Sequence, residues 1–472
     1  MSRLASGLLA LAAAGGGCAL GPDYERPVFK DIEETKKFAG DDLWKPARPR
    51  DAVPKGEWWR IYGDAALDRL AARATERSAD ARVALARLEQ ARAAAGIEGA
   101  ALWPELTGRA GASRSRTERN RRTGADAYTQ NAFSLGGDLS YELDLWGRVR
   151  RTTEAADARA EAALADYHNA LLSVQAEVAR NYFALRALDA ERALVVRNIE
   201  SRRKSLALVA RRQELGAGTE LDTRLAEAEL ASSESDRADI DQRRAQLRLA
   251  LAVLCDENPS AFALAEDARA ALAEPPPVPS GLPSALLERR PDIASAERAV
   301  AAANAEVGAA KAAFFPTLVL FAGAGYASAD VGKLFTPAQW KWNFGPSLTL
   351  PFFEGGRLRA DHRRSLARRE EAVAQYRQRV LEAFREVEAC LSDLARLAER
   401  NAAMSRAVVA SRRAATLVNE RYIRGHDSYM DVLNAERTAI ANERLDVQVR
   451  GQRLVASALL VKAVGGGWKE QE

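Results

Sequence analysis

Cys18 directly follows a segment with the composition of a secretory signal. A basic residue, the apolar segment 8–14 and several small residues precede Cys18, which is the order of a secretory signal. A cysteine directly after such a segment is the residue at which bacterial lipoproteins are cleaved and acylated. Gly15 stands where lipoproteins usually carry an aliphatic residue, so cleavage as an ordinary signal peptide is the alternative. We expect acylation of Cys18, and Ala19 after it suits delivery to the outer membrane.

No other residues have the spacing that catalysis or metal binding requires. His168, His362 and His426 are isolated in the sequence, with no carboxylate or cysteine at ligand spacing. Cys255 and Cys390 lie in helical patterns, where we expect them to be small buried apolar residues. The Gly-Gly pairs belong to no phosphate-binding or dinucleotide-binding motif. We therefore expect no enzyme activity, no metal site and no cofactor.

The charge balance argues against nucleic acid as a partner. Lys and Arg number 69 and Asp and Glu number 65, while charged residues make up 28% and apolar residues 47% of the chain. This composition is typical of long helices with charged surfaces. No apolar run approaches the roughly 18 residues of a transmembrane helix. Membrane association would require the chain to lie on the bilayer, to be anchored to it, or to cross it as strands.

The elements that would position functional residues occur twice, about 209 residues apart. Trp103-Pro104 and Phe315-Pro316 each precede an alternating segment and then a stretch without glycine or proline. These two stretches, 148–215 and 357–424, are 68 residues long. Because Gly and Pro interrupt helices, each stretch predicts a continuous helix of roughly 100 Å. The chain is therefore a duplication of one architecture rather than a string of globular domains.

Each long helix is predicted to end at a glycine-containing turn and to return as a second helix of about 40 residues. The turns are 215–218 and 424–427. Apolar residues spaced three and four apart run along both long stretches, which is typical of coiled-coil packing. They recur at equivalent positions of the two halves: Leu171, Val178, Tyr182, Leu185 and Leu188, then Val380, Val387, Leu391, Leu394 and Leu397.

Two pairs of strands are predicted upstream of the long helices. In the clearest strand, 133–144, apolar residues alternate with polar ones, and its counterpart is 340–350. Less regular strands precede them near 106–115 and 317–326. One apolar and one polar face over about 9 to 11 residues match a transmembrane strand. A half-buried hairpin in a soluble sheet is the alternative.

Four strands are too few to close a transmembrane barrel. The smallest barrels need about eight strands, and an open strand edge in lipid leaves unpaired backbone groups that cost several kcal/mol each. Membrane insertion therefore requires oligomerisation. Three chains would supply twelve strands continuous with a helical tube, which would form a pore through the outer membrane with a long periplasmic barrel.

The chain resembles the TolC-type outer-membrane factors, most closely the lipoprotein branch that serves resistance-nodulation-division (RND) efflux pumps. The matching motifs follow that family's order over nearly the whole mature chain, at 17–27, Trp58-Trp59, 141–150, 290–293, 314–317 and 421–433. The resemblance implies an α+β membrane protein with a duplicated strand hairpin and long helical hairpin. It also implies a trimer with a 12-stranded β-barrel, a 12-helix periplasmic α-barrel and an equatorial belt.

The function and partners implied by the resemblance are those of an outer-membrane channel in a tripartite RND-type efflux pump. Such a channel exports small molecules, either drugs or toxic compounds. Its implied partners are two copies of itself, a periplasmic adaptor protein, an inner-membrane RND transporter and outer-membrane lipid. The implied location is the outer membrane, with a lipid anchor and an extension into the periplasm. A channel for type I protein secretion shares the fold and is one alternative; a periplasmic coiled-coil scaffold without a pore is the other.

The family closes its periplasmic end near the two glycine turns, with tyrosine, basic and acidic side chains that link inner and outer coiled coils. By motif, Tyr422 and Asp431 match such positions, and Asp222 is the equivalent in the first half. Arg424 is a neighbouring basic candidate, whereas Asn434 departs from the pattern because many relatives carry an acidic residue there. The alternative for each aspartate is a solvated charge at a helix start, where it complements the helix dipole.

The repeats divide the chain into six expected segments. They are a signal peptide, an extended leader, the first repeat, a Pro-rich equatorial linker, the second repeat and a C-terminal tail, at 1–17, 18–60, 61–258, 259–290, 291–464 and 465–472 respectively.

Overall fold

A computed structural model describes residues 19–29, 56–118, 126–266, 272–277 and 289–466. In these residues the strand hairpin and the long helical hairpin both occur twice, as expected. The helices are α1 (Ala65–Arg77), α2 (Ala79–Ala100), α3 (Arg148–Glu214), α4 (Glu220–Leu254), α5 (Pro291–Ala312), α6 (Arg357–Ile423) and α7 (Tyr429–Ala463). The strands are β1 (Glu105–Thr117), β2 (Tyr128–Leu143), β3 (Thr317–Ser328) and β4 (Trp340–Thr349).

The two stretches without glycine or proline form the two longest helices described. Helices α3 and α6 each span 67 residues, and the returning helices α4 and α7 each span 35. The predicted bounds are therefore correct to within a residue for the outgoing helices. The helical sequence at 67–101, directly before Trp103-Pro104, predicts one helix, but the structure has α1 and α2 there. The helix is interrupted at Ser78, a buried residue with an extended ψ of 131°. No glycine or proline stands at this position to indicate the interruption.

The four strands form one antiparallel sheet in the order β1-β2-β3-β4. Residues paired across one level of the sheet share a face. One level consists of Leu106, Leu139, Ala322 and Phe344. The next level consists of Thr107, Asp138, Gly323 and Asn343. The apolar and polar faces predicted for 133–144 and 340–350 are therefore confirmed at these levels, whereas β3 departs from them, because Phe321 and Val319 lie on the polar face.

The described residues group into two compact units. The first comprises Met1–Val28, Arg87–Leu164 and Ser295–Arg377, and it contains the sheet. The second comprises Phe29–Ala86, Ala165–Ala294 and Gln378–Glu472. In the part of the chain that the structure describes, no helix has the length and apolar character needed to cross a membrane.

The leader residues 19–28 are extended and belong to the first unit. Gly21 has φ +107° and lies against Gly308, so that neither position has room for a side chain. Polar contacts hold the leader: Leu20 N–H to Trp146 O at 3.0 Å, Arg151 to Asp23 at 2.7 Å, Tyr24 to Glu297 at 2.6 Å and Arg26 to Tyr376 at 3.1 Å. The described part of the motif 17–27 is thus fixed to the helices next to the sheet.

The second unit has its largest apolar core around the middle of α3. Tyr182 is buried there and donates a hydrogen bond to Asp64 at 2.5 Å. Trp58, in a short 3-10 helix, donates through its indole N–H to Gln175 at 3.0 Å. These contacts satisfy polar atoms that burial would otherwise leave without partners. The motif Trp58-Trp59 therefore has a structural role in this unit.

Candidate functional site

The ends of the two helical hairpins have the same backbone design. After α3, Gly216 adopts φ +71°, and Ala217 N–H donates to Arg212 O at 2.8 Å. After α6, Gly425 adopts φ +80°, and His426 N–H donates to Arg421 O at 3.0 Å. Glycine suits the left-handed conformation that closes a helix in this way. The turns predicted at 215–218 and 424–427 therefore exist, and they belong to the second unit.

Asp222 and Asp431 each complete a capping box at the start of a returning helix. Asp222 accepts from Thr219 N–H at 3.2 Å, and Asp431 accepts from Ser428 N–H at 3.0 Å. The hydroxyls of Thr219 and Ser428 in turn accept from the backbone N–H groups of these aspartates. Hydrogen bonds from the Ser428 hydroxyl and backbone lower the pKa of Asp431 below its usual range. Both carboxylates therefore have a structural partner at the helix start; Asp431 is exposed, and Asp222 is half-buried.

Tyr422 joins an apolar cluster made by the ends of both hairpins. Its ring lies 5.7 Å from the ring of Tyr429, and the Arg212 guanidinium lies 4.8 Å from the Tyr422 ring centre. The buried members of this cluster, which we call the tip cluster, are Val209, Ala226, Tyr429, Val432 and Leu433. Among the described residues the Tyr422 hydroxyl has no hydrogen-bond partner. Within one chain, Tyr422 thus links the hairpins by its ring rather than by its hydroxyl.

Arg424 is exposed and forms no ion pair with any described residue. Its neighbour Arg421 is engaged, with its guanidinium 2.9 Å from Asp427 in the turn. The structure therefore does not bring Arg424 to Tyr422, Asp222 or Asp431 within one protomer.

A row of ion pairs, which we call the ladder, joins α4 of the first hairpin to α7 of the second. It lies farther from the turns than the tip cluster. Arg437 of α7 binds Glu229 of α4, with Nε at 2.7 Å, and Arg444 binds Asp236 at 2.8 Å. The two acids are seven residues apart on α4, and the two arginines are seven apart on α7. This heptad spacing keeps side chains on one helix face. Sequence reasoning missed these residues, although matching seven-residue steps of opposite charge were the available signal.

The ladder continues to a carboxylate that is almost fully buried. Glu191 of α3 is 1% exposed, and it accepts from Arg444 Nε at 3.0 Å and Gln448 Nε2 at 3.2 Å. Close by, α7 packs on α3 where Gly451 lies against Ala187, and a Cβ at Gly451 would clash with the Ala187 methyl. Glycine is therefore required for this approach of the two helices.

The ladder also shifts the pKa of one of its acids. Burial alone would raise the pKa of Glu229, but hydrogen bonding to Arg437 and the charge of Arg202 lower it below its usual range. The native state therefore favours the ionised carboxylate. Its stabilising contribution is present above the unfolded-state pKa and is lost as pH falls through the lowered native pKa.

Cys18 lies outside the described residues, and only the segment that follows it is placed. Ala19 lies against Gly147, in the turn between β2 and α3, where a side chain larger than hydrogen would collide with it. No group of three His, Cys, Asp or Glu in the described ranges is arranged to hold a metal ion.

Comparison with known proteins identifies the family to which this geometry belongs. The family model described as outer membrane efflux protein matches residues 70–255 and 282–466. The chain belongs to this family. The two matched ranges contain the two repeats of strand hairpin and helical hairpin, and the resemblance inferred from the motifs is confirmed. The protein is an outer-membrane component of an efflux system and not an enzyme.

Individual relatives match over almost their whole length. The chain is 36% identical to the pyoverdine export outer membrane protein OpmQ of Pseudomonas aeruginosa over 439 residues, 92% of each chain. It is 32% identical to the solvent efflux pump outer membrane protein SrpC of Pseudomonas putida, covering 96% of each chain. The solved structure of the outer-membrane channel OprN superposes with a TM-score of 0.85 at 31% identity, covering 96% of this chain and 100% of that one.

Proposed function

We propose that three copies of this chain form the outer-membrane channel of a tripartite RND-type efflux pump. The observation that supports the assembly is the two-faced sheet. Among the described residues, its edge strands β1 and β4 each pair with a neighbouring strand on one side only. Pairing β1 of one copy with β4 of the next would remove the open edges, which lipid does not tolerate. Twelve strands then form a β-barrel, and the four long helices of each copy form a 12-helix periplasmic α-barrel.

The polar face of the sheet supplies the water-filled path in this assembly. Asp138 and Asn343 lie on that face with Gly323 between them, and Arg109 pairs with Asp138 at 3.2 Å. The opposite face presents Leu139, Phe344 and their neighbours to lipid. The chain has no means of driving transport, so an inner-membrane RND transporter would supply the energy and a periplasmic adaptor would join the two proteins.

Small molecules are the proposed cargo. One relative is named for pyoverdine export and the other for solvent efflux, so the shared architecture serves cargoes of different chemistry. Both names favour efflux over type I protein secretion. The six-segment division given above, from the signal peptide 1–17 to the tail 465–472, is part of this proposal.

Accumulation in cells lacking the chain tests this function. Cells without it should retain several-fold more of an amphiphilic fluorescent dye than the parent, and plasmid-borne protein should restore export. The same result is expected when the gene for the proposed adaptor or for the proposed RND transporter is deleted. Unchanged dye retention together with loss of one secreted protein from the medium would replace efflux with type I secretion.

We further propose that Cys18 is acylated. The support is positional: Ala19 and Leu20 are fixed beside Trp146 and Gly147 at the end of β2, so an acyl chain on Cys18 would enter the membrane next to the barrel. Mass spectrometry of the mature N-terminal peptide should show cleavage before Cys18 and a mass increase from the acyl chains. An unmodified Cys18, or cleavage elsewhere, would contradict this. Cys18→Ser should leave the pore functional, because the strands hold the barrel in the bilayer.

The gate proposal places Asp222, Asp431, Tyr422 and Arg424 at the periplasmic mouth of the trimer. There, three copies of each aspartate would ring one axis and attract cations. The free Tyr422 hydroxyl and the unpaired Arg424 would close the mouth by contacts between protomers. Tyr422→Phe with Arg424→Ala should therefore raise single-channel conductance in planar bilayers. Because phenylalanine keeps the ring that stacks on Arg212, the tip cluster should persist.

Asp431→Ala should instead reduce cation selectivity and block by divalent cations. Since its pKa lies below the ordinary 3.8, Asp431 is ionised from neutral pH down to about pH 5, and selectivity should be constant over that range. Asp427→Ala is the control, because Asp427 sits in the turn and binds Arg421. Unchanged conductance and selectivity in intact trimers of every variant would leave the aspartates as helix-start charges only.

A further inference from the structure

Two arginines lie on the apolar face of the sheet. Arg114 pairs with Asn131 and Arg116 pairs with Thr129, so strand alternation places both on the face that carries Leu106 and Leu139. Both arginines are exposed. A charge on a face that otherwise meets lipid is unusual, and its position along the strand decides what it meets.

Their position is beyond the end of the apolar band. The outermost level that spans all four strands contains Tyr326 and Trp340, whose rings are 5.1 Å apart, with Phe335 5.6 Å from Tyr326. Aromatic girdles of this kind mark the boundary between hydrocarbon and headgroups. Ala110 belongs to the same level, so Arg114 is four residues further out, roughly 14 Å along the strand.

The end of the sheet at which they lie is the one opposite the helices. β2 leads into α3, and β4 leads into α6, at the other end of the sheet. Arg114 and Arg116 are next to the β1–β2 connection instead. With the helices in the periplasm, these arginines lie at the outer leaflet.

Neither arginine is neutralised within the described chain. They form no ion pair there, and Glu118, the next acid along the chain, does not bind either of them. Arg109 of the same strand lies on the polar face and is paired with Asp138. Arg109 on the polar face thus has a carboxylate partner, whereas Arg114 and Arg116 on the lipid-facing side have none among the described residues and could bind an anion from outside the protein.

We propose that Arg114 and Arg116 bind the phosphate groups of a phosphorylated lipid in the outer leaflet, an inference that rests on the proposed barrel. Guanidinium groups bind phosphate through two parallel hydrogen bonds. The aromatic rings of Tyr326 and Trp340, four residue levels nearer the bilayer centre than Arg114, would contact the acyl chains of the same lipid. The two interactions together select an amphiphile with an anionic head over a free anion.

Native mass spectrometry of the full-length trimer in detergent tests the site. The probes are a diphosphorylated lipid A, the same lipid without phosphates, and inorganic pyrophosphate. The unaltered protein should retain the phosphorylated lipid, and Arg114→Ser with Arg116→Ser should weaken its binding by at least about tenfold. Equal retention of the dephosphorylated lipid, or equal binding of pyrophosphate, would overturn the proposal without any variant.

A matched variant separates position from net charge. Adding Ser113→Arg and Ser115→Arg to the double variant restores two charges but places them on the polar face. Lipid binding should stay lost in this four-fold variant. Recovery of binding would show that net charge suffices and would refute a site on the lipid-facing side. The trimer mass in the same spectra reports on the barrel, so a failure of assembly is distinguishable from a failure of lipid binding.

Discussion

Arg444→Met is expected to destabilise the protein by about 3 to 5 kcal/mol, because it removes the only guanidinium described within hydrogen-bond distance of the buried Glu191 carboxylate. The Glu191 side chain is 1% exposed, its remaining partners being Gln448 at 3.2 Å and Arg243 at 4.0 Å. Denaturant unfolding of the detergent-solubilised protein, followed by the helical circular dichroism signal, measures the loss. The same change also removes the contact to Asp236, so α7 loses one polar contact to each helix of the first hairpin.

Two variants control for this result. Arg396→Met breaks an ion pair with Glu399 in which the side chains are 74% and 65% exposed, and it should cost no more than about 1 kcal/mol. Arg444→Met combined with Glu191→Met should recover most of the lost stability, because no buried charge remains. A cost for Arg444→Met no larger than that for Arg396→Met would show that the ladder does not hold the hairpins together.

Substitution by arginine on the apolar face of the sheet is expected to cause the second large loss of stability. Leu139→Arg should cost about 2 to 4 kcal/mol near the bilayer midplane, and Leu348→Arg, four residues nearer the helices, should cost less. The physical reason is the desolvation of a guanidinium in hydrocarbon. Unfolding of the protein from lipid vesicles by denaturant, read by tryptophan fluorescence, gives the free energy difference.

Ser140→Arg and Thr349→Arg are the matched controls, one residue along the same strands. The sheet register places both on the polar face, so their arginines should meet water at little cost. Equal damage from both sets of substitutions would contradict either the face assignment or the membrane location of the sheet.

Most of the fold could be predicted from the sequence because its signals are long and repeated. The absence of glycine and proline from 148–215 and 357–424 predicts both outgoing helices almost to their last residue. Alternation in 133–144 predicts the two faces of the sheet. The helix break at Ser78 was not predicted, because the residue is buried in the tertiary structure and no local glycine or proline marks the break.

The candidate site was less accessible to sequence reasoning. Position along the chain places Asp222 and Asp431 at helix starts, and the structure gives both a capping box. What the motif could not indicate is that Arg212, more than 200 residues from Tyr422, stacks on its ring. The ladder from Glu229 to Arg444 likewise depends on how the two hairpins pack; the seven-residue spacing of its charges is visible in the sequence, but the pairing of the two helices is not.

Cysteine accessibility in planar bilayers tests the central claim most directly, namely that the polar face of the sheet lines an ion-conducting pore. Purified Ser140→Cys trimers should conduct, and a charged water-soluble thiol reagent should reduce their conductance. Leu139→Cys trimers, with the thiol facing lipid, should conduct and remain unaffected. The unaltered protein is the control for the native thiols, because Cys255 is buried as expected but Cys390 is only half-buried. Trimers that insert without conducting, or equal modification of both cysteine variants, would contradict a channel with this polar lumen.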